Sequence, residues 1–192
     1  MKGHVIDIGG NKEKKRGGFK PPLSQVKSWG YLNIDNSTNP DICCSAENIP
    51  VEDASYDTAI LCEVLEHLEH PEQVLKETFR ILKNGGILIM STPFLFPVHA
   101  APYDFQRWTD TKIRLVLESI GFSDIKIMPI GGIGAVIHDI LRVSFRKIRV
   151  KYLKSSCFLG LRLTTPFFSL LDRVLKPSEK KITTGYFVIS TK

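Results

Sequence analysis

No stretch of the 192-residue chain is apolar for the roughly 20 residues that a bilayer-spanning helix needs. The most apolar candidate, "CFLGLRLTTPFFSLL", is interrupted by Arg162 and Pro166. No leader-like apolar segment opens the chain, because Asp7 and a lysine cluster break it, so a cytoplasmic location is expected. Cysteine is scarce: Cys43, Cys44, Cys62 and Cys157 form no CxxC pair. That argues against a zinc ribbon or a dithiol redox site and leaves small, half-buried thiols. Internal repeats and low-complexity tracts are also lacking, which leaves out solenoids and disordered tails. Acidic residues become rare late in the chain. Residues 134–181 hold eleven Lys/Arg against three Asp/Glu, while residues 1–133 hold fourteen against seventeen. The overall charge of +6 therefore belongs to one segment.

What is present is an ordinary globular composition, 43% hydrophobic and 24% charged, in a chain long enough for one domain. Apolar runs bounded by turn residues alternate with helical periodicity, the pattern of an α/β domain with a largely parallel sheet. "HVIDIGG", "YLNIDNS", "DICCSAENIP" and "YDTAILCEVLEHL" read as four strands, the third short and the fourth running on into a helix. "HPEQVLKETFRILKNGG" reads as a helix with Pro71 in its first turn and Asn84-Gly85-Gly86 as its stop. "GILIMSTP" follows as a fifth strand. In "TDTKIRLVLESIGF", Thr109 or Asp110 can cap a second helix that Gly121 ends. "SDIKIMPI" and "GYFVIST" complete seven strands. Residues from about 131 to 184 form a basic, helical insertion before the last one. "NKEKKRGGFKPPLSQ" is a poor helix former, given its glycines and prolines.

Ligands of open parallel sheets bind beyond the carboxyl ends of the strands. Asp7, Gly9, Gly10, Asp35, Ser45, Ala46, Cys62, Glu63 and Ser91 to Pro93 all fall at such ends. Glycine after the first strand lets a ligand approach the backbone, and an acid after the second can accept the two hydroxyls of a ribose. Either feature alone is equally good turn chemistry. Their recurrence at successive strand ends is the signal.

At this point the chain resembles a known family. "VIDIGG", "YLNID", "SAENIPVEDASYDTAILCEVLEHLEHPEQVLKETFRILKNGGILIMSTP" and "DFQRWT" are similar to class I S-adenosylmethionine-dependent methyltransferases of the type 11 group. The middle block, with "AENIP", "YDTAI", "EVLEHL" and "LKNGG" in that order, is its specific part. The resemblance implies a Rossmann-like class I methyltransferase fold, with seven strands, mostly parallel, and an antiparallel C-terminal strand. It implies one domain over residues 1–192, with a core of 1–130 and 185–192. S-adenosylmethionine is the implied cofactor and S-adenosylhomocysteine its product. Asp7, Gly9 and Gly10 match the loop at the methionine portion, Asp35 with Asn36 the ribose site, Ser45 and Ala46 the adenine side, and Cys62 and Glu63 the cleft wall. The third glycine of the usual loop is replaced, since Asn11 and Lys12 follow Gly10, and Ser45 stands where a carboxylate is common. A shallower, more open site is expected.

"STPFLFPVHAAPYDFQRWT" follows the fifth strand, where a methyl acceptor would lie. His99 is a candidate base, with Tyr103 and Arg107 as further polar groups. Similar arrangements in relatives of glycan and envelope biosynthesis imply a small-molecule, sugar or lipid-linked acceptor. For Asp104, Arg107 and Trp108 the favoured reading is structural, with Asp104 and Arg107 paired to pin the loop and Trp108 packed under the next helix. In "EVLEHLEH", Glu63/His67 and Glu66/His70 have helical metal-ligand spacing, but no third ligand has a fixed position and no metal is expected. The basic segment reads first as a lid or dimer contact and next as a peripheral membrane contact, with nucleic acid last. A non-catalytic relative that binds a partner or membrane is the alternative from another class.

Overall fold

The computed structural model describes residues 3–13, 21–175 and 182–192. Residues 14–20, within the lysine-rich stretch read as a poor helix, lie outside them. The strands are β1 (His4–Ile8), β2 (Ser28–Asn33), β3 (Ile42–Cys43), β4 (Tyr56–Cys62), β5 (Leu82–Pro93), β6 (Ser123–Ile130) and β7 (Gly185–Thr191). Four helices accompany them: α1 (Pro71–Ile81), α2 (Asp110–Ile120), α3 (Ile133–Arg146) and α4 (Lys151–Val174). The sheet order is β3-β2-β1-β4-β5-β7-β6. β1 pairs in parallel with both β2 and β4, and β4 with β5.

β7 runs against its neighbours. Gly85 N donates to Lys192 O at 3.0 Å and Phe94 N to Thr184 O at 2.7 Å, so the start of β5 meets the end of β7. Likewise Thr184 N donates to Ile130 O and Ser123 Oγ to Thr191 O, an antiparallel match with β6. The mostly parallel sheet with an antiparallel last strand is the expected class I architecture.

The chain divides into two compact units. The first is Met1–Thr92, Pro102–Ile127 and Phe187–Lys192; the second is Pro93–Ala101 and Met128–Tyr186. The first holds most of the buried core. Val5, Ile6, Ala59, Leu61, Leu88 and Met90 lose all their exposure, as expected for parallel strands covered on both faces. Val74, Leu75 and Ile81 of α1 and Ile113 and Leu117 of α2 are equally buried. Phe79 and Phe122 meet edge to face at 4.9 Å. α2 starts where Thr109 Oγ1 accepts from Lys112 N and ends on Gly121, whose φ is +115°. The last residue has a role no periodicity announces. Lys192 Nζ donates to the carbonyls of Phe79 and Leu82 at 2.7 Å, a cation on the negative end of α1.

Two expectations need correction. α1 ends at Ile81, and Leu82 already pairs with Tyr56. Asn84-Gly85-Gly86 therefore lies within β5, where the ladder shifts register and Gly85 takes a φ of +76°, and does not stop the helix. β4 passes into no α-helix either. It leads to one 3-10 turn, Leu65–His67, before α1 begins.

In the second unit, α3 and α4 form a hairpin. Asp172 of α4 accepts from Gly134 N at 2.6 Å and Ala135 N at 3.1 Å, capping the start of α3. A Cβ on Gly134 would lie 2.2 Å from Phe168 O, so only glycine permits this approach.

Candidate active site

Because β1, β2 and β4 are parallel neighbours, their carboxyl ends fall side by side in the first unit. At the end of β1 the chain turns at Gly9, with φ +78°, and Gly9 N donates to Leu32 O at 2.7 Å. Glycine is needed twice over. A Cβ at Gly9 would lie 2.5 Å from Val64 Cγ2, and one at Gly10 would lie 2.4 Å from the Asp7 carboxyl carbon. Asp7 is thus folded back against its own turn.

Asn33, which the sequence did not single out, closes this turn from the β2 side. Its Nδ2 donates to Gly9 O and Gly10 O at 3.2 Å and to Asn11 Oδ1 at 3.1 Å. Its Oδ1 accepts from Asp35 N at 3.0 Å, linking the glycine turn to the acidic one. The only prior hint was a polar residue at the end of an apolar run.

Asp35 is exposed beyond β2 and caps a 3-10 turn, Asn36–Thr38. Its Oδ1 accepts from Ser37 N at 2.8 Å and its Oδ2 from Ser37 Oγ at 2.9 Å. These two bonds orient the carboxylate. Ser45 is exposed beyond β3, and its Oγ accepts from Glu47 N at 3.2 Å; Ala46 is half-buried.

At the end of β4, Glu63 adopts the left-handed backbone with φ +54°. Such a conformation costs a non-glycine residue about 1–3 kcal/mol. Ser91 holds it on both sides: Glu63 N donates to Ser91 O at 3.0 Å, and Ser91 Oγ donates to Glu63 Oε1 at 2.8 Å. Cys62 presents an open surface, yet burial around its sulfur pushes the thiol pKa up, assisted by the charges of Asp7 and Glu63. It stays a thiol.

The 3-10 turn after β4 buries a carboxyl. Glu66 has no exposed surface, and burial raises its carboxyl to about 7, with the neighbouring Glu63 charge acting in the same direction. His67 Nε2 lies 3.6 Å from Glu66 Oε1. Because Leu65–His67 is a 3-10 turn, the helical spacing on which a shared metal between Glu63 and His67, or Glu66 and His70, depended does not exist.

Residues 103–108 strap this turn down. Phe105 N donates to Glu66 O at 2.8 Å, and His67 Nδ1 donates to the Tyr103 carbonyl. Gln106 Nε2 donates to Leu68 O at 2.7 Å while its Oε1 accepts from Trp108 Nε1, also at 2.7 Å. Arg107 forms a two-pronged pair with the buried carboxylate of Asp104, with Nη2 to Oδ2 at 2.8 Å. That pair holds the guanidinium pKa further up. The Arg107 head is thus committed to Asp104, whereas the Tyr103 side chain is exposed. His99 belongs to the second unit, half-buried, with its ring edge-on to Phe96 at 5.4 Å.

The sequence profile of the methyltransferase domain family, type 11, matches residues 28–90, from β2 to the middle of β5. That match covers about a third of the chain. The mitochondrial 2-methoxy-6-polyprenyl-1,4-benzoquinol methylase of Caenorhabditis elegans is 29% identical over 84 residues, 44% of this chain and 24% of that protein. The matched stretch thus spans about a quarter of that relative's length. Among solved structures, an S-adenosylmethionine-dependent methyltransferase from Archaeoglobus fulgidus superposes with a TM-score of 0.60 and 16% identity, over 98% of this chain and 86% of that one. Phosphoethanolamine N-methyltransferase 2 of Haemonchus contortus, in complex with phosphomonomethylethanolamine and S-adenosylhomocysteine, gives a TM-score of 0.60 and 14% identity, over 98% and 48%. These likenesses establish the class I methyltransferase fold. The matched segment includes Asp35, Ser45, Ala46, Cys62 and Glu63, and the glycine turn precedes it in the same sheet.

Proposed function

We propose that the chain transfers a methyl group from S-adenosylmethionine to an oxygen or nitrogen of a small-molecule, sugar or lipid-linked acceptor. The observation that carries this reading is the row of Gly9–Gly10, Asp35 and Glu63 at adjacent carboxyl ends of one parallel ladder. The residues suit such a cofactor: side-chain-free backbone at β1, an oriented and exposed carboxylate at β2, and an ordered wall at β4. The cofactor supplies an electrophilic methyl on a sulfonium sulfur.

Each residue then has a defined task. Asp35 accepts the ribose hydroxyls, with Asn36 beside it, and the Gly9–Gly10 turn receives the methionine portion against Asp7. Ser45 and Ala46 flank the adenine. Cys62 and Glu63 wall the cleft. Displacement at a sulfonium methyl requires alignment of donor and acceptor and exclusion of water more than covalent help. His99 takes the proton of a hydroxyl acceptor or orients its nucleophile, Tyr103 offers its exposed side chain to the acceptor, and Arg107 fixes the loop that carries it. A cytoplasmic location accords with this role.

Calorimetric titration with S-adenosylhomocysteine tests the reading. Saturable binding supports it, and no heat at millimolar ligand overturns it. For the base, His99→Ala should lower turnover by about tenfold or more at saturating cofactor. Unchanged turnover would remove His99 from that role.

A further inference from the structure

α4 wears its apolar side outward. At ~100° per residue, Tyr152, Leu159, Leu163, Phe167, Leu170 and Val174 fall within about 80° of one another around the helix. All six are between 57% and 86% exposed. The opposite face already has its partners. Leu161 is buried there, Phe168 lies edge-on to His138 at 5.8 Å, and Asp172 caps α3. The stripe is therefore spare apolar surface, not part of the hairpin packing.

Its electrostatic setting is one-signed. Lys151, Arg162 and Arg173 are exposed and fall along one flank of the stripe, within about 40° of each other. Arg146 at the end of α3 and Lys147 and Arg149 in the turn leading into α4 are also exposed, and Val150 beside them is 60% exposed. The helix's one acidic residue, Asp172, faces α3. Among the described residues no helix is long and apolar enough to cross a membrane, so a bilayer would hold this helix along its surface.

We propose that the exposed stripe of α4 docks the chain on an anionic lipid surface. Leu159, Leu163, Phe167 and Leu170 enter the boundary between headgroups and acyl chains, while Arg162, Arg173 and the basic turn meet lipid phosphates. A bilayer suits this face better than a second copy does. Self-contact would bury the stripe but offer no carboxylate from α4 to the flanking cations, whereas anionic headgroups satisfy both. The inference stands apart from methyl transfer, since it concerns a surface of the second unit.

Sedimentation of the full chain with vesicles tests it, using phosphatidylcholine alone or mixed with an equal part of phosphatidylglycerol. The chain should pellet with the mixed vesicles, partition at least about tenfold less onto the neutral ones, and be released by high salt. Leu163→Ser with Leu170→Ser should weaken binding about tenfold or more, and so should Arg162→Ser with Arg173→Ser. All four side chains are exposed, so circular dichroism should stay unchanged. Should the leucine pair disturb folding, the arginine pair carries the test. A chain that stays in the supernatant with mixed vesicles, or variants that bind as well as the parent, would overturn the proposal. A dimer in solution that the leucine pair dissolves, without vesicle binding, would assign the stripe to a second copy instead.

Discussion

The strand ends of the first unit and the α3–α4 hairpin of the second use apolar residues in opposite ways. In the first, Leu61 and Met90 vanish into the sheet, and the polar groups above them are fixed by main-chain bonds, as Asn33 fixes the glycine turn. In the hairpin, α3 and α4 pack along one face, with Phe145 edge-on to Phe158, Phe168 edge-on to His138 and Asp172 capping α3, while Leu163 on the other face stays 71% exposed. The difference shows that hydrophobic content alone does not report a core. One region buries it in a packed frame beneath the strand ends, and the other leaves it exposed along one helix face.

Paired truncations break that comparison most directly. Leu61→Ala should destabilise by about 2–5 kcal/mol, because it empties a fully packed site. Leu163→Ala should stay within about 0.5 kcal/mol. Denaturant melts of both variants check this, and equal losses would mean that the stripe is covered within the fold.

Gly9→Ala should come next. Its positive φ and its approach to Val64 should together cost about 2 kcal/mol and weaken S-adenosylhomocysteine binding by tenfold or more. Calorimetry alongside thermal melts separates the two losses.

Glu66 should give an effect of about 2 kcal/mol, visible only against pH. Burial lifts its carboxyl from 4.5 to about 7 in the folded chain. The folded state therefore keeps the proton longer than the unfolded state does. The stabilisation this gives is complete below the unfolded value and is lost as pH rises through about 7. Glu66→Gln should flatten that decline. Stability measured at about pH 5 and about pH 8 for both proteins checks it, and parallel curves would remove Glu66 from the account.

Much of the frame was legible because it rests on runs and punctuation. β1, β5, β7 and the Thr109-to-Gly121 helix all announce themselves by apolar periodicity and bounding turn residues. Asp35 was legible as an acid just past a strand. The boundary between α1 and β5 was not, because "LKNGG" is good helix-stop chemistry, and pairing of Leu82 with Tyr56 overrides it. Asn33 and Gln106 were equally hidden. A single amide that bonds backbone carbonyls across the fold leaves no periodic trace. Glu66 stood out only for its spacing from His70, and nothing in "EVLEHLEH" marks one of its glutamates as the buried one.

A crystal structure with S-adenosylhomocysteine tests the central claim most directly. The account predicts ribose hydroxyls within hydrogen-bond distance of the Asp35 carboxylate and the amino-acid portion over Gly9 and Gly10. Ligand density anywhere other than the carboxyl ends of β1, β2 and β4 would contradict it.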